Sequence, residues 1–298
     1  MKLDTVRARQ AAIDLSGKHA VVIGATAGLG RAVALRLAQA NVGVVAVGRN
    51  AQAGAEVVQE LRAASARFAK PAEHSFRATD ASLLANVRAL AAGIAAENPG
   101  RALDMLVLSQ GIATMQGRTE TSEGLDVKMA LHYYSRVAAA QALMPLLERS
   151  ASPRVLSILS GGVHSPYAGW SSDTELKTSY SLANAANAAG FYNDVAWTVL
   201  AKEHPKVAFV HSAPGFVATS WGTELNPVLR GLVRALQGAF GRSPADAAEM
   251  LAEPLLDTAL SPGFHLRSSA AEPAHAAAGV DAAAPTVWKH TLEVLGRH

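Results

Sequence analysis

The chain contains 298 residues, half of them hydrophobic, with 27 basic residues against 24 acidic ones and no cysteine. A chain of this length buries a large core, and one domain over 1–298 is expected because α/β domains of about 250 residues are common. The absence of cysteine excludes disulfides, thiolate nucleophiles and thiolate metal sites, and it suits a reducing cytoplasm.

Charge and hydropathy patterns exclude further classes of protein. No apolar stretch reaches about 18 residues, so no integral membrane segment is expected. The start of the chain carries charges without a following apolar block, which argues against a secretory signal and favours a cytoplasmic protein. The net charge of +3 is spread along the chain without a basic stripe, so nucleic acid is not an expected partner.

Short apolar segments alternate with helical ones from residue 19 onward. The sequence predicts strands at 19–24, 42–47, 74–78, 103–108, 154–159 and 207–211. It predicts helices at 29–39, 53–64, 83–96, 125–148 and 180–203. Continuous apolar strands joined by helices indicate an α/β fold, a single domain with a doubly wound parallel sheet of the Rossmann type flanked by helices.

The pattern is weaker beyond residue 219. Helices are predicted near 227–240 and after Pro244, a loop at 269–285, and a closing helix or strand at 287–295. Ligands of such sheets bind beyond the carboxyl ends of the strands. We expect the cofactor half of the domain at about 14–150 and the substrate side with the C-terminal part at about 151–298.

A glycine-rich segment directly follows the first predicted strand. Its residues are Gly24, Ala25, Thr26, Ala27, Gly28, Leu29, Gly30 and Arg31. Glycines in a strand-to-helix turn let the backbone approach a pyrophosphate, and the next helix directs its N-terminus at that charge. The position of this turn predicts a dinucleotide site, with an ordinary structural turn as the alternative.

This Gly-x-x-x-Gly-x-Gly spacing resembles that of the short-chain dehydrogenase/reductase (SDR) superfamily, and the likeness covers about 14–219. Three later landmarks follow in order: Asp80, Gly111 and the segment Pro214, Gly215, Phe216, Val217, Ala218, Thr219. The resemblance implies that Asp80 contacts the adenine and that the last segment holds the nicotinamide carboxamide. Segments 242–249 and 288–295 resemble the retinol-dehydrogenase-like branch.

The end of the second predicted strand indicates which nicotinamide cofactor binds. Enzymes of this fold that use NAD place a carboxylate there to bond the ribose hydroxyls. This chain has Gly48 and Arg49 instead. A guanidinium can bind the 2′-phosphate of NADP in a bidentate manner, so we expect NADP(H), with help from Arg31. A solvated loop arginine is the alternative for Arg49.

The resemblance also assigns the reacting groups. Ser160 closes the fifth predicted strand, where the family serine binds the substrate oxygen, and Tyr180 opens the next helix, where the family tyrosine exchanges the proton. Their alternatives are a strand-end hydroxyl and a buried tyrosine. The two lie further apart in sequence than the family spacing, so a longer substrate-side loop is expected between them.

Three departures from the family pattern affect this machinery. Asn184 replaces the lysine that lowers the pKa of the tyrosine, so we expect Tyr180 to remain a neutral phenol that can still donate a proton. Asn184 can still bond the ribose hydroxyls but carries no charge. His132 replaces the asparagine of the water relay, either as a proton shuttle near neutral pH or as a packed side chain. The segment 108–110 replaces Asn-Asn-Ala. Lys128 lies one helical turn before His132 and can supply a charge, in a direction that the sequence does not fix.

Substrate, metal and assembly are less strongly indicated. Tyr167, Trp170, Phe216 and Trp221 are candidates for an apolar pocket lining, with core packing as the alternative. The histidines lack metal-ligand spacing, and Ser160 lacks the Gly-x-Ser-x-Gly turn of a hydrolase. In the family, the helices at 125–148 and 180–203 form an oligomer interface, which implies a homodimer or homotetramer.

These residues predict an NADPH-dependent reductase of a small-molecule carbonyl, a ketone or aldehyde of lipophilic or aromatic character. The substrate and product would be the carbonyl and the alcohol. A catalytically impaired NADP(H)-binding sensor or scaffold protein of the same fold is the alternative, because three positions depart from the family. A different reduction on the same fold, such as that of a C=C bond, is a third reading.

Overall fold

The structure is a computed structural model that describes residues 1–97, 99–218 and 241–298. The first half contains α1 (Leu3–Gln10), β1 (His19–Ile23), α2 (Gly28–Gln39), β2 (Gly43–Gly48), α3 (Ala51–Ser65), β3 (His74–Ala78), α4 (Leu84–Glu97) and β4 (Met105–Leu108). The second half contains α5 (Val127–Met129), a π-helical turn (Ala130–Tyr134), α6 (Ser135–Leu147), β5 (Arg154–Ile158), a 3₁₀ turn (Ala168–Ser171), α7 (Leu182–Glu203), β6 (Ala208–Ser212), α8 (Pro244–Leu256), β7 (Gly263–Arg267) and α9 (Val280–Arg297).

The seven strands form one sheet in the order β3-β2-β1-β4-β5-β6-β7, and every neighbouring pair is parallel. This confirms the predicted Rossmann-type α/β fold in a single domain. The winding reverses between β1 and β4, and a crevice is expected at that point above the carboxyl ends of the strands.

Side chains of each strand alternate between two cores. In β1, Val21 and Ile23 belong to the core under α4, α6 and α7, whereas Ala20 and Val22 belong to the core under α2, α3 and α8. Because successive residues of a strand point to opposite faces, a sheet covered on both sides needs apolar residues at every position. The short continuous apolar runs in the sequence therefore predicted both ends of six strands to within two residues.

Two elements lacked a clear sequence signal. Strand β7 lies at the sheet edge, where only Leu266 of its five residues is buried, so it has no apolar run. Helix α1 is polar and buries only Val6 and Gln10. It is fastened by polar contacts instead, with Arg36 donating to the Gln10 carbonyl at 2.9 Å.

Three predicted boundaries were wrong. The helix at 125–148 is interrupted by the π-helical turn, and Tyr180 precedes α7, whose N-cap is Ser181. The loop predicted at 269–285 ends at Gly279, because the following alanine-rich segment, Pro285 included, is helical. Alanine is the strongest helix former, so its abundance there favoured a helix rather than a loop. The helix predicted near 227–240 lies outside the described residues.

Helix α9 packs on the outer side of α7 and of the π-helical turn. Tyr133 and Thr291 share a hydrogen bond of 2.6 Å between their hydroxyls, and the Tyr134 hydroxyl lies 2.9 Å from His290 Nε2. The chain itself thus covers the α7 part of the surface on which the family resemblance placed an oligomer interface. Across the described ranges, every helix is too short or too polar to traverse a bilayer.

Candidate active site

A cleft of about 880 Å³ opens above the carboxyl ends of β1, β2 and β4. It lies at the reversal of strand order, where this type of fold binds its ligands. The structure places at this cleft ten of the predicted site residues: Gly24, Thr26, Ala27, Gly28, Leu29, Arg49, Asp80, Gly111, His132 and Pro214. A dinucleotide site at the predicted position thus has a cavity of suitable size.

The glycine turn is closely packed. Gly24 has a φ of +87°, and a Cβ atom there would lie 2.7 Å from the backbone nitrogen of Gln110. Gly30 leaves no room for a side chain either, because its Cβ would overlap the carbonyl oxygen of Gly24. The turn therefore brings the N-terminus of α2 to the cleft, where unpaired backbone N–H groups favour an anion.

The end of β2 presents an arginine and no carboxylate. A Cβ at Gly48 would lie 2.6 Å from Thr26 Cγ2, so the Thr26 side chain of the glycine turn occupies the space that a side chain at position 48 would need. Arg49 is exposed at the cleft edge, and no ion pair engages it within the described part of the chain. Arg31, predicted to assist, is directed elsewhere: its guanidinium forms an ion pair with Glu60, with Nε 3.0 Å from the carboxylate.

The loop after β4 is anchored to His132. The backbone N–H of Ile112 donates to Nε2 of His132 at 3.1 Å, and Gly111 packs against the same ring. Burial, together with the charges of Arg136 and Lys128, lowers the pKa of His132 to about 3. The ring is therefore neutral at physiological pH and accepts a hydrogen bond from this loop, which favours the packed alternative over a proton shuttle.

Arg136 was missed by the sequence reasoning. Its buried guanidinium donates to the carbonyl oxygens of Gln110 at 2.7 Å and Ile158 at 2.9 Å, thereby joining the loops after β4 and β5 at the cleft. Burial lowers the pKa of Arg136 to about 9, so it remains charged at neutral pH. An arginine within an otherwise apolar helix was the available signal.

Tyr180 does not line the cleft. Its hydroxyl is buried and has no hydrogen-bond partner among the described residues. The ammonium of Lys128, 6% exposed, lies 5.5 Å from the centroid of the Tyr180 ring and donates to the Gly117 carbonyl at 3.0 Å. A buried cation thus stands beside the tyrosine, although on a different helix from the position of the missing lysine.

Asn184 is occupied locally. Its side-chain amide donates to the Ser179 carbonyl at 2.7 Å, and its backbone N–H donates to the hydroxyl of the N-cap residue Ser181 at 3.0 Å. Both bonds stabilise the first turn of α7. In this arrangement Asn184 lies outside the cleft lining.

Ser160 is held between β6 and α7 rather than beside Tyr180. Its backbone N–H donates to His211 Nε2 at 3.2 Å, and its hydroxyl oxygen lies 3.4 Å from His164 Nδ1. The same hydroxyl packs against Gly190, ten residues beyond Tyr180. The structure does not place the predicted serine and tyrosine in hydrogen-bond contact.

Three buried groups around Ser160 were not predicted as a cluster. Asp194 lies with Oδ1 2.6 Å from His211 Nδ1 and Oδ2 3.2 Å from His164 Nε2, the second contact falling short of a well-aligned hydrogen bond. Burial disfavours the charged forms of both Asp194 and His164. Even so, interaction with the two histidines lowers the pKa of Asp194, and the Asp194 carboxylate raises the pKa of His164. Burial lowers the pKa of His211.

The substrate side is only partly described. Tyr167 is a core residue, 4% exposed, and Trp170 packs against the same core, so neither matches the predicted pocket lining. Phe216 is exposed, as is Val163. Gly215 and Val217 follow Pro214 in a segment paired with Arg242. Thr219 and Trp221 lie outside the described residues. Within the described ranges, no group of three or more histidine, aspartate or glutamate side chains has an arrangement that could hold a metal ion.

Comparisons with known proteins agree with this geometry. The sequence profile described as short chain dehydrogenase matches residues 18–228. The protein named Oxidoreductase AN1596 of Emericella nidulans is 33% identical over 230 residues, covering 76% of this chain and 67% of that protein. Matches to three fungal oxidoreductases cover between 58% and 67% of those proteins, so this chain spans about two thirds of their length or less.

Two further matches extend the likeness along the chain. Human dehydrogenase/reductase SDR family member 13 is 27% identical, covering 95% of this chain and 74% of that protein, in agreement with the predicted retinol-dehydrogenase-like branch. The angucycline C-6 ketoreductase LanV, solved with bound NADP, superposes with a TM-score of 0.65 at 20% identity over 86% of this chain and 95% of that one. The chain belongs to the short chain dehydrogenase family, the SDR superfamily.

Proposed function

We propose that this chain is a cytoplasmic, NADPH-dependent oxidoreductase that reduces a ketone or aldehyde to an alcohol. The observation that carries the proposal is the cleft above β1, β2 and β4, with Arg49 exposed at its edge and glycine where a carboxylate would select NAD. A guanidinium attracts the 2′-phosphate of NADP and a carboxylate would repel it. NADP bound to LanV is consistent with this choice in a protein of the same fold.

The described residues fit such a cofactor. The turn from Gly24 to Gly30 would hold the pyrophosphate against the N-terminus of α2, and Arg49 the 2′-phosphate. Asp80 would bond the adenine; its Oδ1 is already fixed by the Ser82 N–H at 3.0 Å. Gly111 and the described residues from Pro214 to Ala218 would border the nicotinamide. Thr219, expected to hold the carboxamide, lies outside the described residues. Asn184 would reach the ribose only by giving up its hydrogen bond to the Ser179 carbonyl.

When bound, NADPH supplies the hydride for the carbonyl carbon. Ser160 donates a hydrogen bond to the substrate oxygen, and Tyr180 gives that oxygen its proton. Because Ser160 and Tyr180 are not in contact, the proposal requires the loop at 161–179 to adjust so that both hydroxyls reach the substrate oxygen. Exposed Phe216 and Val163 favour a lipophilic or aromatic substrate.

A second candidate is an NADP(H)-binding sensor or scaffold with little turnover. It is favoured by the separation of Ser160 from Tyr180, by Asn184 in place of a lysine and by the neutral His132. Loss of positioned acid–base groups reduces turnover by roughly 10²–10⁴-fold without removing the cofactor site.

Helix α9 also bears on the assembly of the protein. It packs on α7 and so covers that part of the interface which the family resemblance implies. We infer that a homodimer or homotetramer of this chain uses a surface other than the one that α9 covers.

The deciding experiment is NADPH oxidation with a panel of ketones, aldehydes and quinones, with Tyr180→Phe as the test variant. The proposal expects turnover in the wild type and a loss of about 10²-fold or more in Tyr180→Phe. Tight NADPH binding with no turnover of any compound would establish the second candidate instead.

A further inference from the structure

Ser160 is attached to a buried His–Asp–His cluster, defined here as His164, Asp194 and His211. The side chains are 2%, 0% and 0% exposed, respectively. They come from three places: the loop after β5, the middle of α7 and β6. Burying three ionisable groups is costly unless their charges compensate, so their protonation states are constrained.

Hydrogen-bond geometry assigns those states. Nε2 of His211 accepts from the backbone N–H of Ser160 at 3.2 Å, so the His211 proton is on Nδ1, facing Asp194 at 2.6 Å. His211 is therefore neutral. A neutral imidazole carries one proton, and here the backbone amide leaves only one nitrogen for it.

His164 differs because both of its nitrogens face acceptors. Nδ1 lies 2.9 Å from the carbonyl oxygen of Ser160, and Nε2 lies 3.2 Å from Oδ2 of Asp194. The carbonyl only accepts, so Nδ1 carries a proton. A lone pair on Nε2 would face the carboxylate of Asp194 3.2 Å away, so a proton is favoured there as well, and His164 is then an imidazolium held by charge rather than by an aligned hydrogen bond. One imidazolium and one carboxylate then balance within the cluster, in agreement with the raised pKa of His164 and the lowered pKa of His211.

The remaining contact joins this cation to the proposed reaction. The Nδ1–H of His164 also lies 3.4 Å from the Ser160 hydroxyl oxygen, which accepts and leaves the serine O–H free to donate elsewhere. We propose that His164, kept protonated by Asp194, positions and polarises the Ser160 hydroxyl as the hydrogen-bond donor to the substrate oxygen. This rests on the proposed carbonyl reduction, and it supplies near Ser160 a positive charge that Asn184 does not supply.

No proton leaves His164 in this role. The carbonyl oxygen takes its proton from Tyr180, Ser160 keeps its own, and the imidazolium acts only through its charge and its hydrogen bond. The groups that face His164 and titrate are Asp194 on α7 and His211 on β6, and Arg136 on α6 acts on His211. Activity should therefore fall as pH rises through the pKa of His164.

Two variants separate the functions of the two ring nitrogens. His164→Asn keeps an amide donor near the Nδ1 position without the charge, and His164→Gln keeps a polar group near the Nε2 position without the donor to Ser160. In each, Asp194 retains His211 as a partner. His204→Gln is the matched control, because His204 lies just beyond the end of α7, where it pairs with Glu148 outside the cluster.

We expect kcat to fall about 100-fold in His164→Gln and about 10-fold in His164→Asn, with KM and NADPH affinity little changed. The alkaline decline of kcat/KM should disappear from both variants and persist in His204→Gln. Nitrogen-15 NMR of the imidazoles should show His164 protonated on both nitrogens at pH 7 and His211 on one, whether or not substrate is turned over.

A singly protonated His164 at pH 7 would overturn the inference, as would an active wild type whose kcat and pH profile are unchanged in both His164 variants. A wild type that binds NADPH but turns over no carbonyl would instead defeat the proposed function, and with it a catalytic task for Ser160.

Discussion

The ammonium of Lys128 lies 5.5 Å from the ring centroid of Tyr180, although the two residues belong to different elements. No ion pair neutralises Lys128 within the described residues, where its polar contact is the Gly117 carbonyl. A buried cation without a carboxylate partner lowers the stability of the fold. A positive charge at this distance interacts favourably with negative charge that develops on the Tyr180 oxygen during proton transfer.

Replacing Lys128 by methionine tests this relationship. We expect the rate of alcohol oxidation to fall about 10-fold or more, because charge near the tyrosine is lost, while Lys128→Arg retains part of it. The free energy of unfolding should stay the same or rise, because an unpaired buried charge is removed. Rates and urea unfolding measure the two effects, with the exposed Lys177→Met as control; unchanged oxidation by Lys128→Met would remove Lys128 from the mechanism.

Gly190→Ala tests the packing behind Ser160. The new Cβ would lie 2.6 Å from His164 Cγ and closer still to the Ser160 hydroxyl. Alanine gains about 1 kcal/mol of helix propensity, but overpacking costs about 1–3 kcal/mol, so a net loss of roughly 1 kcal/mol is expected. Because the new contact displaces the Ser160 hydroxyl, catalytic activity should fall by a larger factor than the small loss of folding stability alone would cause. Gly93→Ala on α4, where a Cβ meets nothing within 4 Å, is the control and should be stabilising.

The buried neutral histidines predict loss of stability in mild acid. Burial lowers the pKa of His132 to about 3 and that of His74 to about 4. Their folded pKa values lie below the unfolded value, so the unfolded chain binds more protons as pH falls below about 6.5 and stability falls with it. Urea unfolding between pH 7.5 and about 4 should show this decline.

His132→Gln provides the matched test of that decline. Glutamine places an amide oxygen near the Nε2 position, so it can still accept from Ile112 N–H but cannot take up a proton, and the acid loss should become shallower. An identical pH dependence in the variant would show that His132 is not neutral and buried as described.

The sequence located the cofactor side of the site better than the reacting side. The glycine turn, Asp80 and Gly111 follow strands directly, so finding the strands placed them. The contacts of Ser160 depend on the loop at 161–179 and on α7, whose start the sequence misplaced at Tyr180. The pairing of Asp194 with two histidines joins remote segments in the interior, and periodicity gives no information about such contacts.

Arg49→Glu should exchange the cofactor preference. A carboxylate at the end of β2 repels the 2′-phosphate and can bond the ribose hydroxyls of NAD. We expect NADPH affinity to fall about 10-fold or more and NADH affinity to rise, with Arg31→Gln having a much smaller effect because Arg31 is paired with Glu60. Equal affinities in wild type and variant would remove Arg49 from the site.

Calorimetric titration of the purified wild-type chain with NADPH and with NADH tests the whole account most directly. We predict binding of NADPH at one site, at least about 10-fold tighter than NADH, because the phosphate gains a charge-assisted hydrogen bond. Absence of heat with both dinucleotides, from a folded chain, would contradict the cofactor site and everything built on it.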